Sequence, residues 1–146
     1  YRAFVNEKLL RYNFARLDYQ NLLVLVPGNF QAQLGLALLN EKDKHYTEAY
    51  DGINSLIGQY PDSAMAYAAR GGMEKERGML ELAEFDYAKA MELDAGNEDF
   101  AFNHVDILIL LGRKDEAYRD LKKLLDAGCQ PGRLQGFYAR LKKKKK

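Results

Sequence analysis

Small and apolar side chains recur along the chain at a constant spacing of 34 residues. Aligning the sequence with itself at this spacing needs no insertion or deletion. Three columns carry the pattern: alanine at Ala15, Ala49, Ala83 and Ala117; a larger side chain at Tyr19, Ile53, Tyr87 and Leu121; and a third column at Leu22, Leu56, Ala90 and Leu124. A fixed period between about 20 and 50 residues is typical of stacked structural repeats. The chain is therefore predicted to consist of repeats of one unit.

Each repeat is predicted to contain two helices. Asn29, Ser63 and Asn97 stand 34 residues apart, each just before a helical run. All three are residue types that cap a helix N-terminus by accepting a hydrogen bond from a backbone N–H. The second helix of each repeat carries apolar residues at spacings of three and four, which gives one buried stripe. The alanine column implies that two helices approach closely there, because a larger side chain would force them apart.

The two helices are predicted to be joined by a tight turn. Gly78 and Gly112 share a column between two helical runs, where a left-handed helix exit suits glycine. Lys44 and Leu10 occupy the same column in the other repeats. The second helices are expected to start near Tyr46, Leu80 and Lys114.

These features predict that residues 1–146 form one all-α domain, which is divided into repeats. The expected units are a partial repeat at 1–29, full repeats at 30–63, 64–97 and 98–131, and a C-terminal capping helix with a lysine tail at 132–146. Pro131 is expected to begin this last helix. A terminal unit that covers the core is a normal part of such stacks. The apolar residues expected to cover the end of the stack are Leu134, Phe137, Tyr138 and Leu141.

One full repeat resembles the tetratricopeptide repeat in both pattern and period. The residues that carry the resemblance are Tyr67, Gly71, Gly78, Leu80, Ala83, Tyr87 and Ala90. The resemblance implies a right-handed superhelical solenoid of antiparallel helix-turn-helix repeats that binds other proteins. There are departures from the family pattern. Gln33 and Ala101 replace the early aromatic residue, and Val105 replaces the small residue found as Ala37 and Gly71.

The resemblance also implies where a partner binds, because the first helices of such repeats line a concave groove. The residues expected on that groove are Gln31, Leu34, Leu38, Met65, Ala68, Gly72, Phe102, Asp106 and Ile109. This set is apolar for an exposed surface, and exposed apolar patches commonly mark binding sites. An apolar groove suits an amphipathic helix. The alternative is that some of these side chains belong to the core.

One variety of the family holds the acidic C-terminal tail of chaperones with a clamp of Lys, Asn and Arg side chains. The matching positions here are Leu34, Leu38, Ala69, Asp99 and Asn103. Only Asn103 agrees with that clamp, and Asp99 would repel a carboxylate. Chaperone-tail binding is therefore not expected.

The charge distribution disfavours specific nucleic-acid binding. The net charge is +1, but Lys142–Lys146 supply five positive charges, so the rest of the chain carries a net charge of −4. A nucleic-acid binder concentrates basic residues on its folded surface. The lysine run has three interpretations: contact with an anionic membrane, non-specific contact with nucleic acid, or a solvated end. We favour the solvated end, because runs of like charge are usually mobile and hydrated.

No group of residues predicts catalysis, a metal site or a cofactor. His45 lies in a charged turn and is expected to be a solvated surface residue, whereas His104 is expected to be partly buried and structural. Cys129 is the single cysteine, and a structural thiol is expected there. The glycine-rich phosphate-binding motifs do not occur, and close helix packing accounts better for Gly71. We therefore expect no enzyme, no cofactor and no metal ion.

The leading hypothesis is a non-catalytic scaffold that binds a protein or peptide. A second is self-association, as a homodimer or within a longer solenoid, through an apolar N-terminal edge formed by Phe4, Leu9, Tyr12 and Leu17. A third is the regulatory part of a larger enzyme. The longest apolar runs are far shorter than the roughly 20 residues of a membrane-spanning helix. The sequence begins at Tyr1 rather than Met, so we expect a fragment or a processed chain, cytoplasmic or, after removal of an export signal, periplasmic.

Overall fold

The computed structural model describes residues 2–143, with side chains described from Lys8 onward, and these residues form eight α-helices and no strand. The helices are α1 (Arg2–Leu25), α2 (Phe30–Lys42), α3 (Tyr46–Gln59), α4 (Ala64–Glu76), α5 (Leu80–Leu93), α6 (Glu98–Leu110), α7 (Lys114–Asp126) and α8 (Gln135–Lys142). A single 3-10 turn, Pro131–Leu134, precedes α8. The all-α prediction is confirmed. Within the described residues, none of the helices has the length and hydropathy needed to cross a membrane. Lys144–Lys146, part of the lysine run, lie outside the described residues.

Side-chain caps start the first helix of each hairpin. Asn29, Ser63 and Asn97 each accept a hydrogen bond from the backbone N–H three residues later. The donor–acceptor distances are 2.8 Å at Asn29, 3.2 Å at Ser63 and 3.2 Å at Asn97. These bonds satisfy backbone donors that the first turn of a helix leaves free. The three caps predicted from the sequence are confirmed.

The turns between paired helices use a left-handed residue. Gly78 and Gly112 have φ angles of 76° and 77°, and Lys44 adopts 62° at the same repeat position. Leu10 occupies this position in the first repeat, and there the chain stays helical from residue 2 to residue 25. A left-handed backbone is unfavourable for a leucine. The segment predicted as a truncated hairpin is therefore one continuous helix in the described residues.

The core consists of three clusters that follow one another along the stack. The alanine column lies at their centre, since Ala49, Ala83 and Ala117 are fully buried. One cluster joins the hairpin α2–α3 to α4, the next joins α4–α5 to α6, and the last joins α6–α7 to α8. Leu134 and Leu141 are buried in the last cluster, so the C-terminal segment packs on the α6–α7 hairpin.

Close helix contact in the central hairpin explains its small first-helix residue. A Cβ atom on Gly71 would lie 2.9 Å from the ring of Tyr87 on α5, closer than real Cβ contacts allow. The absence of a side chain at Gly71 therefore lets the tyrosine ring lie directly on the α4 backbone. The close-packing interpretation of Gly71 is confirmed. Val105 takes this position in the last hairpin and is fully buried.

Candidate peptide-binding surface

The first helices of the hairpins form a row that continues into the C-terminal helix. Helix α2 contacts α4 directly. Lys75 on α4 contacts α6 through Asp106 at 2.5 Å and Asn103 at 3.2 Å. Arg140 on α8 contacts the same Asp106 at 2.6 Å. We call the surface presented by α2, α4, α6 and α8 the first-helix face.

The residues predicted to line a groove divide according to their position in the repeat. Gln31 and Met65, which share a repeat position, are both exposed, and Met65 exposes 52% of its surface. Leu38 is also exposed, at 39%. Gly72 and Asp106, at the same repeat position as Leu38, are half-buried. These five residues therefore remain accessible to a partner on the first-helix face.

Leu34 and Ala68 belong to the core and not to an exposed groove, which corrects the sequence-based assignment. They share one repeat position and expose only 6% and 9% of their surfaces. Leu34 packs in the cluster that joins α2 to α4, and Ala68 in the cluster that joins α4 to α6. Neighbouring first helices meet along this row of positions, and their contact covers the side chains.

Phe102 and Ile109 are half-buried at the C-terminal end of the row. Both pack against the last core cluster. The ring of Phe102 lies 6.0 Å from the ring of Phe137 on α8, centroid to centroid. Arg133 belongs to the 3-10 turn that leads into α8, and its guanidinium lies 4.8 Å from the centroid of the Phe102 ring. The capping segment therefore covers part of Phe102, which the sequence placed on the open groove.

Three charged side chains of the first-helix face meet at Asp106. Asp106 accepts hydrogen bonds from Lys75 and Arg140, and its side chain is 23% exposed. Burial acts to raise the pKa of this carboxyl, but the two cations outweigh that effect and hold its pKa below the ordinary value. Asp106 is therefore ionised at neutral pH and lies between two positive charges. We call Lys75, Asn103, Asp106 and Arg140 the polar bracket.

The position that matches the chaperone-tail clamp is already engaged within the chain. The Asn103 side chain accepts a hydrogen bond from Lys75 and donates one to the backbone carbonyl of Asp99 at 2.9 Å. Leu34, another clamp position, is buried. The geometry therefore gives an acidic tail no ready set of donors at the clamp positions.

Arg70 and Asp86 form a buried ion pair inside the central hairpin. Two guanidinium nitrogens donate to the two carboxylate oxygens at 2.8 Å each, and the Asp86 side chain is only 2% exposed. A third guanidinium nitrogen donates to Asn54 of the preceding second helix at 3.0 Å. Such bidentate pairs fix geometry as well as charge. The pair joins α4 to α5 and to α3.

Glu74 lies beside this pair and is also buried. Tyr50 donates a hydrogen bond to one Glu74 oxygen at 2.7 Å, while the other oxygen has no partner. Burial and the nearby Asp86 carboxylate raise the pKa of Glu74 to about 8. Burial and the bond to Glu74 raise the pKa of Tyr50 to about 12. The raised pKa shifts Glu74 toward its uncharged, protonated form.

His104 sits between carboxylates of two other helices, and only 8% of its surface is exposed. Its Nδ1 contacts Asp120 on α7, and its Nε2 lies 2.8 Å from Glu84 on α5. Burial acts to lower the pKa of His104, but the two carboxylates outweigh it and raise the pKa above its usual value. His104 is therefore more deeply buried than the partly buried structural histidine that the sequence predicted. His45 is half exposed, as predicted.

The sequence contains a signal for these ion pairs that is separate from the columns of small and apolar residues. Arg70 and Asp86 are separated by 16 residues, and so are His104 and Asp120. The two pairs occupy the same two repeat positions in consecutive repeats. A basic residue and an aspartate in register across repeats predict a pair between the first and second helix of a hairpin.

The remaining candidate residues give a simpler picture. Cys129 is buried in the last core cluster, as expected of a structural thiol. Among the residues that the structure describes, no three His, Cys, Asp or Glu side chains are placed to hold a metal ion. A cavity of about 410 Å³ lies at the turn before α6, where Asn97, Glu98 and Ala101 contribute to its wall. None of the predicted groove residues lines that cavity.

The apolar N-terminal edge predicted from the sequence is partly exposed. Leu9 and Leu17 expose 46% and 53% of their surfaces. Tyr12 is half-buried, and the side chain of Phe4 lies outside the described residues. Exposed apolar residues therefore remain on α1.

Comparison with known proteins identifies the fold. No protein-family model matches the sequence, and no curated protein sequence matches it either. A crystal structure of MamA is similar with a TM-score of 0.74 and 18% identity, over 92% of this chain and 72% of that one. MamA 41-end from Desulfovibrio magneticus RS-1 gives a TM-score of 0.69 and 21% identity, over 82% and 68% of the two chains.

A third similar structure is the first TPR of Spaghetti (RPAP3) bound to the HSP90 peptide SRMEEVD. Its TM-score is 0.64 with 22% identity, and the match covers 76% of this chain and 88% of that one. Together with the capped, stacked hairpins, these similarities show a tetratricopeptide-like helical repeat fold. The resemblance inferred from the sequence is confirmed for the fold.

Proposed function

We propose that this chain is a non-catalytic scaffold that binds a segment of another protein along the first-helix face. The observation that carries the proposal is the exposure of Leu38 and Met65 on the surface that also holds the polar bracket. A few apolar anchors combined with a small number of oriented polar groups are the usual composition of a peptide-binding surface.

The two exposed side chains are suited to anchoring a helical or extended peptide. Full burial of a leucine or methionine contributes about 1.5–3 kcal/mol relative to leaving it exposed. Methionine adapts its shape to different partners because its side chain is unbranched and flexible. A ligand with an apolar residue for each of Leu38 and Met65, and a polar group facing Asp106, fits this arrangement.

The peptide-bound RPAP3 domain supports the use of this fold for peptide binding. The residues of the present chain argue for a different ligand, since four of the five clamp positions for acidic tails do not match. We predict no affinity for the peptide SRMEEVD that isothermal titration calorimetry can detect. Micromolar binding of that peptide would overturn this part of the proposal.

The test selects peptides from a random displayed library on the wild-type protein. Selected peptides are then measured against Leu38→Glu, Met65→Glu and a control, Leu82→Glu. Leu82 on α5 is 51% exposed, which matches Met65 at 52%, but it lies on a second helix. We expect each first-helix substitution to weaken binding about tenfold or more, because it places a charge against an apolar ligand side chain.

The Leu82→Glu control shows whether the peptides bind the first-helix face or the second helices. Peptides that bind Leu82→Glu as tightly as the wild type, and Met65→Glu weakly, support the first-helix face. Peptides that lose affinity only for Leu82→Glu bind the second helices, and the proposal is then wrong. Circular dichroism of each variant checks that the helices are intact.

A further inference from the structure

Helix α1 is apolar on two opposite faces. One face packs on α2, where the ring of Tyr19 lies against the backbone at Gly35 and Arg16 donates to Asp43 at 2.7 Å. The opposite face is exposed: Leu10 at 53%, Phe14 at 60%, Leu17 at 53%, Val24 at 79% and Leu25 at 79%. A helix that is apolar on both sides is typical of a helix packed between two partners.

The exposed face has the spacing of a helix-packing seam. Leu10, Phe14, Leu17, Asn21 and Val24 follow one another at alternating steps of four and three residues. This is the a/d spacing of a coiled-coil heptad, in which a single polar a residue such as Asn fixes register. We call these five residues the α1 stripe. Its spacing is that of a surface that packs against another helix.

A neighbouring repeat does not cover these positions elsewhere in the stack. On α3 the residues in register with Phe14, Leu17, Asn21 and Val24 are exposed: Glu48, Asp51, Ser55 and Gly58. On α5, which has a complete hairpin on either side, Leu82 and Phe85 are in register with Phe14 and Leu17 and expose 51% and 64% of their surfaces. On α7 the corresponding residues are charged, namely Glu116, Arg119, Lys123 and Asp126. The stripe therefore lies on the outer surface of the solenoid, which the stacking of repeats leaves open.

The charged residues beside the α1 stripe favour pairing with a second copy of α1 in the antiparallel orientation. Arg11 and Asp18 are exposed along one edge of the stripe, one heptad apart. When two α1 helices pack antiparallel about a two-fold axis between residues 15 and 16, Phe14 faces Leu17 of the second copy. In that register Arg11 lies beside Asp18 of the second copy, and the same pair forms twice by symmetry. A shift of one heptad instead brings the two Asp18 side chains together, which is unfavourable.

The other end of the chain does not offer a matching surface. The exposed residues of the capping segment include Gln135, Arg140 and Lys142, so this end presents polar and charged side chains where the stripe needs an apolar partner. We propose that two copies of this chain pair through their α1 stripes, antiparallel and two-fold symmetric. The first-helix face is formed by α2, α4, α6 and α8, so pairing through α1 leaves it free for the proposed ligand.

The first test measures the mass of the protein in solution. Sedimentation velocity of the wild-type chain is expected to give a species of twice the 16.7 kDa chain mass. Leu17→Glu places a charge on each side of the two-fold axis, so we expect the dimer dissociation constant to rise about 100-fold or more. The matched control is Leu82→Glu, whose leucine is 51% exposed on α5 against 53% for Leu17, and it stays dimeric.

The second test is a charge exchange that reports orientation. Asp18→Arg alone, or Arg11→Asp alone, weakens the dimer because like charges then meet across the interface. The double variant Arg11→Asp with Asp18→Arg restores opposite charges across the interface and is expected to dimerise at least about tenfold more tightly than either single variant. A monomeric wild type at about 100 µM overturns the pairing, because association must appear at high concentration. Disruption by Leu82→Glu but not by Leu17→Glu also overturns it, and failure of the charge exchange overturns the antiparallel register.

Discussion

The central hairpin, α4–α5, and the last hairpin, α6–α7, use the same two repeat positions for a polar contact between their helices. In the central hairpin the contact is Arg70 with Asp86, and in the last it is His104 with Asp120. Each basic residue also reaches the preceding second helix. The guanidinium is charged at every relevant pH, whereas the imidazole is titratable and its pKa is raised by the two carboxylates. One repeat geometry therefore supports a permanent charge in one place and a titratable charge in the next.

The two hairpins also differ in how their helices approach. Gly71 allows the ring of Tyr87 to lie on the α4 backbone, whereas the last hairpin buries a valine side chain, Val105, at this position. The first full hairpin has Leu36 and Gly52 where the other two have their ion pairs. The repeats thus keep the helix positions and vary the interactions that hold them.

Removing the permanent charge of Arg70 should cause the largest loss in the free energy of unfolding. Arg70→Leu leaves Asp86 buried without its cation, so we expect a loss of about 3–5 kcal/mol in the free energy of unfolding. His104→Leu should cost less, because the Asp120 side chain is 13% exposed compared with 2% for Asp86. Urea unfolding at pH 7 measures both. Lys89→Ala, which removes an exposed pair, is the control, and an equal loss from it would contradict this ranking.

Filling the close contact in the central hairpin should have the next largest effect. Gly71→Ala places a Cβ 2.9 Å from the Tyr87 ring, and such overpacking costs about 1–3 kcal/mol. Gly72→Ala is the matched control, because its Cβ meets only the Tyr87 hydroxyl oxygen at 3.4 Å. Alanine also favours the helix over glycine, so the control should be neutral or stabilising. Thermal unfolding of both variants tests the contrast, and equal effects would show that the close contact carries no cost.

Raising the pH should destabilise the protein through Glu74. Its pKa is about 8 in the folded chain and 4.5 in the reference state, so the folded state binds this proton more tightly. The stability that this proton provides is present below about pH 4.5 and is lost as the pH rises through about 8. Glu74→Gln keeps a neutral side chain and should be more stable than the wild type at pH 9, by about 1–2 kcal/mol. Urea midpoints across this pH range measure the difference, and identical profiles would refute it.

His104 should add a second pH dependence of the same sign. Its pKa is raised above 6.5 by Asp120 and Glu84, so its stabilising contribution is present below pH 6.5 and is lost as the pH rises through the raised pKa. His104→Gln should cost about 1–2 kcal/mol at pH 6 and less at pH 9. The Glu74→Gln background separates the two groups, since it removes the contribution of Glu74 from both proteins being compared. A constant cost at both pH values would show that the imidazole stays neutral.

The helix caps should show the smallest effect and no difference between the hairpins. Ser63→Ala and Asn97→Ala each remove one bond of 3.2 Å to a backbone N–H, which costs about 1 kcal/mol. Chemical unfolding of both variants should give losses that agree within experimental error. A clearly larger loss at one cap would show that the two hairpins differ in more than their ion pairs and close contact.

Much of the fold was predictable because local chemistry repeats in register. The caps at Ser63 and Asn97 and the left-handed turns at Gly78 and Gly112 follow from the preferences of single residues. The continuous α1 helix departs from the repeat at Leu10, where the usual turn residue is replaced. The exposure of the residues assigned to the groove was harder to predict, because contact between adjacent first helices buries Leu34 and Ala68.

The sequence by itself determined the period, the helix ends and the small residues at close contacts, since each depends on short stretches of chain. The tertiary structure decided which apolar side chains remain exposed and which charged groups meet. Arg70 with Asp86 and His104 with Asp120 come together only when two helices pack, and the pKa values of Glu74 and His104 depend on that packing. Burial and electrostatics depend on neighbours from other helices, and those neighbours are set by the stacked fold.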